Sequence, residues 1–336
     1  MTASKVCILG GTGFVGRHIA VRLSQQGVQT RILTRNREQH RETLLVLPGV
    51  ELFEANVYDP ATLETHFRGM DAVINLVGIL NEHKRGDFHI AHSELPRLVA
   101  NVCVKLGVPR LLHMSALGAD PTGPSAYQRS KGIGQEAVHQ AGKDSAGLLM
   151  VTIFRPSVIF GEGDSFFNRF ADLLRRIPFF LPLAKPNAKM QPVWVENVTD
   201  AYVEALSNPE TYGQIYDLCG PKVYTLRDLV AYTQSLTGTK KAIIGLPDWV
   251  AMTQAMVLEK LPGQLLTRDN LLSLSVDNIC TGSCFPAIFR LQARSLESVV
   301  PSYLGRDVSK RRRGFGHGGI QVPLPIRKTN AGMLLR

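Results

Sequence analysis

An α/β fold organised around a doubly wound parallel sheet, followed by a smaller lobe, is what this sequence predicts. Three observations carry the prediction. Glycines stand at Gly10, Gly13 and Gly16, directly behind the apolar run Val6 to Leu9 and ahead of a helical pattern of Phe14, Val15, Ile19, Ala20 and Leu23. Apolar runs and helical patterns then alternate as far as Met114, the order expected of parallel strands joined by crossover helices. Finally, Ala72 to Val77 is a near-continuous apolar run, which suits a strand covered on both faces.

Strand, glycine turn and helix in that order turn a glycine pattern into a nucleotide site. Gly10 permits the tight turn, Gly13 the close approach of backbone to a pyrophosphate, and Gly16 the packing of helix on strand. Thr12, Phe14 and Val15 complete the loop. Unpaired N–H groups at the helix start then face the phosphates, aided by the helix dipole. The expected ligand is a dinucleotide. Gly27 reads as the helix stop and Val28 to Thr34 as the second strand. Thr34-Arg35-Asn36-Arg37 follows, without the carboxylate that would take the ribose hydroxyls of NAD(H). Arg35 can instead pair with a 2′-phosphate, so NADP(H) is expected in preference to NAD(H).

Val50 to Ala55 gives the third strand, ending at Asn56-Val57, and Pro60 to Phe67 a short helix. The fourth strand runs out through Leu76-Val77 to Gly78. A longer helical segment, Phe88 to Leu106, leads to the fifth strand, Arg110 to Met114, with Ser115 just past its carboxyl end. Gly10, Arg35, Asn56, Gly78 and Ser115 therefore share one rim, the place where ligands bind to open parallel sheets.

Tyr127-Gln128-Arg129-Ser130-Lys131 opens the next helix, which runs to about Ala141. Tyr127 and Lys131, four residues apart, lie on one helix face. A phenol with a pKa near ~10 exchanges protons poorly at neutral pH, and a neighbouring ammonium favours the phenolate. Ser115, Tyr127 and Lys131 are thus the candidate catalytic group. Ser115 would hydrogen-bond a substrate carbonyl, and Lys131 would also reach cofactor hydroxyls.

With these residues in place the chain resembles the short-chain dehydrogenase/reductase superfamily, in its extended or atypical branch. The resemblance rests on the glycine loop, Asn56-Val57, Leu76-Val77-Gly78, Ser115, Tyr127, Lys131, Arg155-Pro156-Ser157-Val158-Ile159-Phe160-Gly161 and Gln191 to Val198. It implies a Rossmann-type sheet, with Pro156 and Val158 beside the nicotinamide. Asn56 stands where the superfamily often has an acid; its amide can still meet an adenine edge. Ser115 to Pro121, Tyr127 to Gly134, Leu261-Pro262-Gly263 and Thr267-Arg268-Asp269-Asn270 further resemble bacterial relatives of the nucleotide-binding accessory subunit of mitochondrial respiratory complex I. That resemblance implies NADPH held as a structural cofactor, with respiratory complex I or its quinone as partner. The alternative it leaves open is a working NADP-dependent reductase or epimerase acting on a small carbonyl or sugar-like substrate.

The division expected is a dinucleotide-binding domain over residues 1–160, its sheet completed from about 190–220, a smaller substrate or partner lobe over 161–304, and a tail over 305–336. Ser165 to Leu174 reads as a helix, Gly213 to Leu218 as a strand, and Thr225 as the cap of a helix toward Leu236. Ile177 to Leu183 contains two prolines and is expected to be a stiff apolar loop: a lid, a partner or membrane patch, or part of the lobe's core. Asp248 to Leu261 reads as an amphipathic helix with Trp249, Val250, Met252, Met256, Val257 and Leu261 on one face, turned either to the core or to a membrane or partner.

From Arg306 onward there are eight Lys/Arg and one acid, Asp307, whereas residues 1–305 hold thirty bases and twenty-seven acids. The basic tail is expected to be poorly ordered and either solvated or in weak contact with an anionic membrane. No segment reads as a nucleic-acid module. The five cysteines, at 7, 103, 219, 280 and 284, suggest neither zinc nor disulfides and point to a reducing compartment. Val6 to Leu9 is too short for the apolar core of a signal peptide, and no run is long enough to span a bilayer. The expected location is cytoplasmic, peripheral at the cytoplasmic face of an inner membrane.

Overall fold

A computed structural model describes residues 3–261, 263–282 and 285–304. Pro262, Cys284 and the whole basic tail lie outside the described residues. The first half alternates strand and helix: β1 (Lys5–Leu9), α1 (Phe14–Gln25), β2 (Gln29–Thr34), α2 (Arg37–Leu44), β3 (Val50–Glu54), α3 (Pro60–Phe67) and β4 (Ala72–Asn75). Then come α4 (Asp87–His89), a π-helical turn (Ile90–Glu94), α5 (Leu95–Leu106), β5 (Arg110–Met114), α6 (Ala126–Asp144) and β6 (Met150–Pro156).

The central sheet has seven strands. A later strand, β11 (Gln214–Leu218), forms one edge and β3 the other, with β6, β5, β4, β1 and β2 between them in that order. Every pairing in it is parallel. The chain builds outward from β1 through β2 to β3, then returns to the other side of β1 for β4. The crevice between β1 and β4 is therefore the topological switch point, where ligands of such sheets bind. Alternation along β1 shows why the strand is apolar throughout. Val6 and Ile8 belong to the core on one face of the sheet, Cys7 and Leu9 to the core on the other. Burying both faces removes the polar positions that a half-exposed strand would show.

The second half supplies β7 (Ile159–Phe160), α7 (Phe166–Arg176), β8 (Phe180–Leu183), β9 (Lys189–Met190), β10 (Val193–Trp194), α8 (Val195–Ser207), β12 (Tyr224–Thr225), α9 (Leu226–Thr237), β13 (Ala242–Gly245), α10 (Asp248–Leu258), α11 (Arg268–Ser273) and α12 (Leu296–Leu304). Helix α8 packs on α1 beneath the sheet. A separate core gathers Phe167, Leu174, Leu181, Leu183, Leu229 and Val300 from α7, β8, α9 and α12. Thr225 caps α9 through a reciprocal pair of hydrogen bonds with Asp228.

Two expectations need correction, and one left open is decided. Ile177 to Leu183 is not wholly a loop, because Phe180–Leu183 pairs in parallel with β13. The prolines exclude a helix but leave room for a two-stranded ribbon whose partner arrives some sixty residues later. Cys219 and Cys280 form a disulfide with Cα atoms 6.2 Å apart, although the sequence suggested none. Their 61-residue separation gives no local pattern, and cysteine usage no longer argues for a reducing compartment. Within α10, finally, Ala251 and Ala255 are the buried residues, while Trp249, Met256 and Val257 are exposed. The apolar stripe is divided: Met252 packs with the alanines against Ala184 and Leu271, while Trp249, Met256 and Val257 face outward.

Candidate functional site: a dinucleotide crevice with a Ser-Tyr-Lys group

The sequence-predicted residues stand in strand order along the carboxyl edge of the sheet. Gly10 follows β1, Arg35 follows β2, Asn56 follows β3, Leu76-Val77-Gly78 follow β4, Ser115 follows β5, and Pro156-Ser157-Val158 close β6. Gly10 has a φ of 77°, and a Cβ there would lie 3.0 Å from the Leu76 carbonyl carbon. A Cβ on Gly16 would lie 2.4 Å from the Gly10 oxygen and 2.5 Å from the Gly11 Cα. Glycine at these two positions lets the turn close and α1 settle on the loop. Gly13 is the N-cap of α1, no side chain caps it, and the first turn holds no acid. That leaves the N-terminal N–H groups for an anion, and the loop accordingly fits a pyrophosphate. Thr12 is partly exposed on the loop and Val15 is buried beneath it, while the Phe14 ring packs edge-on against His18.

After β2, Thr34 is buried and its hydroxyl accepts a 3.3 Å hydrogen bond from the Asn36 N–H. Asn36 in turn caps α2. Arg37 is committed, its Nε donating to the Leu52 oxygen. Arg35 is exposed and, among the described residues, makes no hydrogen bond or ion pair. Asn56 uses its side-chain oxygen to accept the Tyr58 N–H at 3.1 Å, which leaves its amide NH₂ for a ligand, and Val57 is buried beside it.

The placement of Tyr127 and Lys131 depends on how α6 begins. Ser125 and Gln128 form a capping box, and Asp269 of α11 accepts the N–H groups of Ala126 at 2.6 Å and Tyr127 at 3.1 Å. One turn on, the buried Lys131 donates its Nζ to the Met114 oxygen at 3.2 Å, beside Ser115. A Cβ on Gly78 would come within 3.2 Å of that same Nζ, so the lysine spans from α6 to the ends of β4 and β5. Ser115 is buried, with its N–H bonded to the Phe154 oxygen at 2.8 Å, and its Oγ has no partner among the described residues. A buried hydroxyl left unpaired costs free energy unless a ligand satisfies it.

The electrostatics differ from the sequence expectation. Burial pushes the Tyr127 phenol up to about 12, and no pull from Lys131 offsets it. Burial also lowers the Lys131 ammonium to about 8. At neutral pH, then, the tyrosine is protonated and the lysine still carries its charge, a pair set to give a proton rather than take one.

Sequence reasoning missed His92. It lies buried in the π-helical turn, where its Nε2 accepts the Ile79 N–H at 3.0 Å and its Nδ1 lies 3.0 Å from Ser130 Oγ. Its ring meets Tyr127 edge-on at 5.3 Å. Burial, followed by the Lys131 charge, lowers it to about 2, so it is neutral and joins the turn after β4 to α6. Asn278 was missed as well. It donates to the Leu117 oxygen at 3.1 Å and accepts from Ser157 Oγ at 2.5 Å, two residues before the disulfide at Cys280. Neither residue has a signal in the sequence, since each matters through contacts distant along the chain. Among the described residues no cluster of metal-ligating side chains is present.

The seven-stranded parallel sheet and the glycine crevice define a nicotinamide-dinucleotide-binding protein of Rossmann type. The chain belongs to the NAD dependent epimerase/dehydratase family, which matches residues 6–219. Among named relatives it is similar to NADH dehydrogenase (ubiquinone) 1 alpha subcomplex subunit 9, mitochondrial, of Mus musculus, at 31% identity over 235 residues, 68% of this chain and 60% of that one. It therefore spans about 60% of the length of that subunit. It is also similar to a ceramide reductase of Caulobacter vibrioides, at 26% identity over 259 residues, 76% of this chain and 77% of that one. Among solved structures, MoeE5 in complex with UDP-glucuronic acid and NAD matches with a TM-score of 0.70, covering 93% of this chain and 100% of that one at 15% identity. This last is a likeness of fold. Among the described residues no helix is long and apolar enough to cross a membrane.

Proposed function

We propose that the protein is an NADP(H)-binding member of the complex I accessory-subunit type, holding its dinucleotide as a structural cofactor beside respiratory NADH:quinone electron transfer. The observation that carries this reading is the 31% identity to the mouse subunit. In this reading Gly10, Thr12, Gly13, Phe14, Val15 and Gly16 hold the pyrophosphate, and Thr34 and Arg35 take the 2′-phosphate. Asn56 and Val57 meet the adenine, and Leu76, Val77 and Gly78 line the crevice. Tyr127 and Lys131 hold the far ribose, and Pro156 and Val158 flank the nicotinamide. The free Arg35 and the absence of a carboxylate after β2 favour NADP(H) over NAD(H). Residues 1–160, with the sheet completed from about 190–220, would form the dinucleotide domain and 161–304 the lobe that meets a partner. That partner would be respiratory complex I or its quinone, with the protein peripheral at the cytoplasmic face of an inner membrane. The test is to denature the purified protein, identify the released nucleotide, and follow its exchange with labelled NADPH. Stoichiometric NADPH that resists exchange supports the reading; NAD(H), or rapid exchange, overturns it.

One observation favours a second reading, an active NADP-dependent reductase or epimerase: Ser115 Oγ is buried and, among the described residues, without a partner, as a group awaiting a substrate carbonyl would be. When bound, the dinucleotide supplies hydride chemistry at its nicotinamide. Ser115 would donate a hydrogen bond to the carbonyl oxygen. Tyr127, protonated at neutral pH, would give that oxygen its proton, and Lys131 would hold the cofactor's ribose.

A further inference from the structure

The ribbon of β8 and β13 has two unlike faces. Leu181 and Leu183 are buried in the core of the smaller lobe. The other face pairs Phe180 with Ala242 and Pro182 with Ile244, and it is not covered: Phe180 is 49% exposed, Ile244 47%, and the adjoining Phe179 80%. Lys241 donates to the Pro178 oxygen, which fixes it beside these phenylalanines. Arg175 and Arg176 end α7 just before the ribbon, and Lys240 precedes β13. After β13 the chain enters α10, whose outward side shows Trp249 at 76% exposure.

Charge decides what such a face meets. Residues 172–185 and 239–248 hold Arg175, Arg176, Lys185, Lys240 and Lys241 against Asp172 and Asp248, which pair with Arg175 at 3.0 Å and with Lys185 at 2.8 Å, a surplus of three. Residues 1–305 as a whole hold thirty bases and twenty-seven acids, a surplus of three. Outside these two segments the balance is therefore twenty-five bases to twenty-five acids, and the excess positive charge of this part of the chain sits around the apolar ribbon. Exposed aromatics ringed by cations match the boundary between acyl chains and anionic headgroups. A second copy of the chain would set one cationic rim against another, which opposes self-association.

We propose that the β8/β13 ribbon, with its rim of Arg175, Arg176, Lys240 and Lys241, is the surface that docks this protein on an anionic lipid bilayer. Phe179 and Phe180 enter the headgroup boundary and the cations meet lipid phosphates. The inference deepens the peripheral-membrane part of the reading above and rests on that part, not on the cofactor.

The test uses the full chain and vesicles of phosphatidylcholine with or without phosphatidylglycerol, at low salt. Two double variants are compared with the wild type: Arg176→Glu with Lys240→Glu, and Phe179→Ser with Phe180→Ser. All four side chains are exposed, and bound nucleotide and thermal midpoint are measured on the same samples. Wild type should partition onto the anionic vesicles and not the neutral ones. Each double variant should bind at least about tenfold more weakly, the charge variant because two cations leave an anionic surface and the phenylalanine variant because apolar area leaves the headgroup boundary. Wild-type failure to bind anionic vesicles overturns the proposal. So does unchanged binding by both variants, which would assign attachment to the basic residues after 305. A concentration-dependent dimer lost in the variants, with no vesicle binding, would assign the ribbon to a second copy and overturn it too. Nucleotide retained at wild-type levels in any of these outcomes leaves the cofactor reading standing by itself.

Discussion

Replacing Arg35 with aspartate isolates recognition of the 2′-phosphate. The side chain is exposed and, among the described residues, free of hydrogen bonds and ion pairs, so the change should alter folding stability by less than about 0.5 kcal/mol. A hydrogen bond to a charged group contributes about 1.5–3 kcal/mol. Solvent screening at so open a position favours the lower half of that range. NADPH affinity should therefore fall by roughly tenfold to fiftyfold, and the loss should shrink as salt is raised. The introduced carboxylate can accept the ribose hydroxyls of NADH, so NADH affinity should hold or rise. Titration of both reduced nucleotides into nucleotide-free wild type and variant, followed by nicotinamide fluorescence, reads the two effects separately. Equal losses for NADPH and NADH would show that Arg35 does not read the phosphate.

Tyr127→Phe removes the ionisable oxygen and keeps the ring, so nucleotide binding should stay within about tenfold of wild type. If the protein turns over, activity should drop at least ~10²-fold; unchanged turnover removes Tyr127 from proton transfer. Cys219→Ser combined with Cys280→Ser opens a link across 61 residues and should lower unfolding free energy by about 2–4 kcal/mol, read by denaturant titration; an unchanged midpoint refutes this. The Lys131 pKa falls from 10.5 to about 8 through burial, so the unfolded chain binds the extra proton between those values and stability should rise with pH across that window. Lys131→Met should flatten that rise, and a rise of equal slope in the variant would exclude the buried ammonium as its source.

The sheet was legible in the sequence because β1 and β4 are apolar almost throughout and each early strand is bounded by a turn or helix signal. Pro60 and Phe67 mark α3 to the residue, and Arg110 and Met114 mark β5. The rim followed once the strands were placed, since a parallel sheet brings every strand end to one edge. What stayed hidden depends on tertiary approach. The helical period found the stripe of Trp249, Met256 and Val257, but period alone does not say which side faces the core. Here the alanines do. His92 reads as an ordinary helix residue until the π-helical turn brings it to Ile79 and Ser130. The phenol of Tyr127 was expected to be eased downward by Lys131, yet burial of both groups dominates. Desolvation of this kind has no counterpart in a spacing pattern.

The carboxylate of Asp269 on the first N–H groups of α6 has a consequence for how the protein can be divided. A chain cut before Arg268 would keep the glycine loop, Ser115, Tyr127 and Lys131, yet it would lose the acceptor that holds Ala126 and Tyr127 at 2.6 and 3.1 Å. The helix would start from its own capping box alone. A tyrosine at position 127 is therefore a property of the N-terminal sequence, whereas the backbone anchoring that starts its helix is a joint product of segments some 142 residues apart. Grafting the nucleotide half onto another partner lobe would transfer the pocket without its alignment.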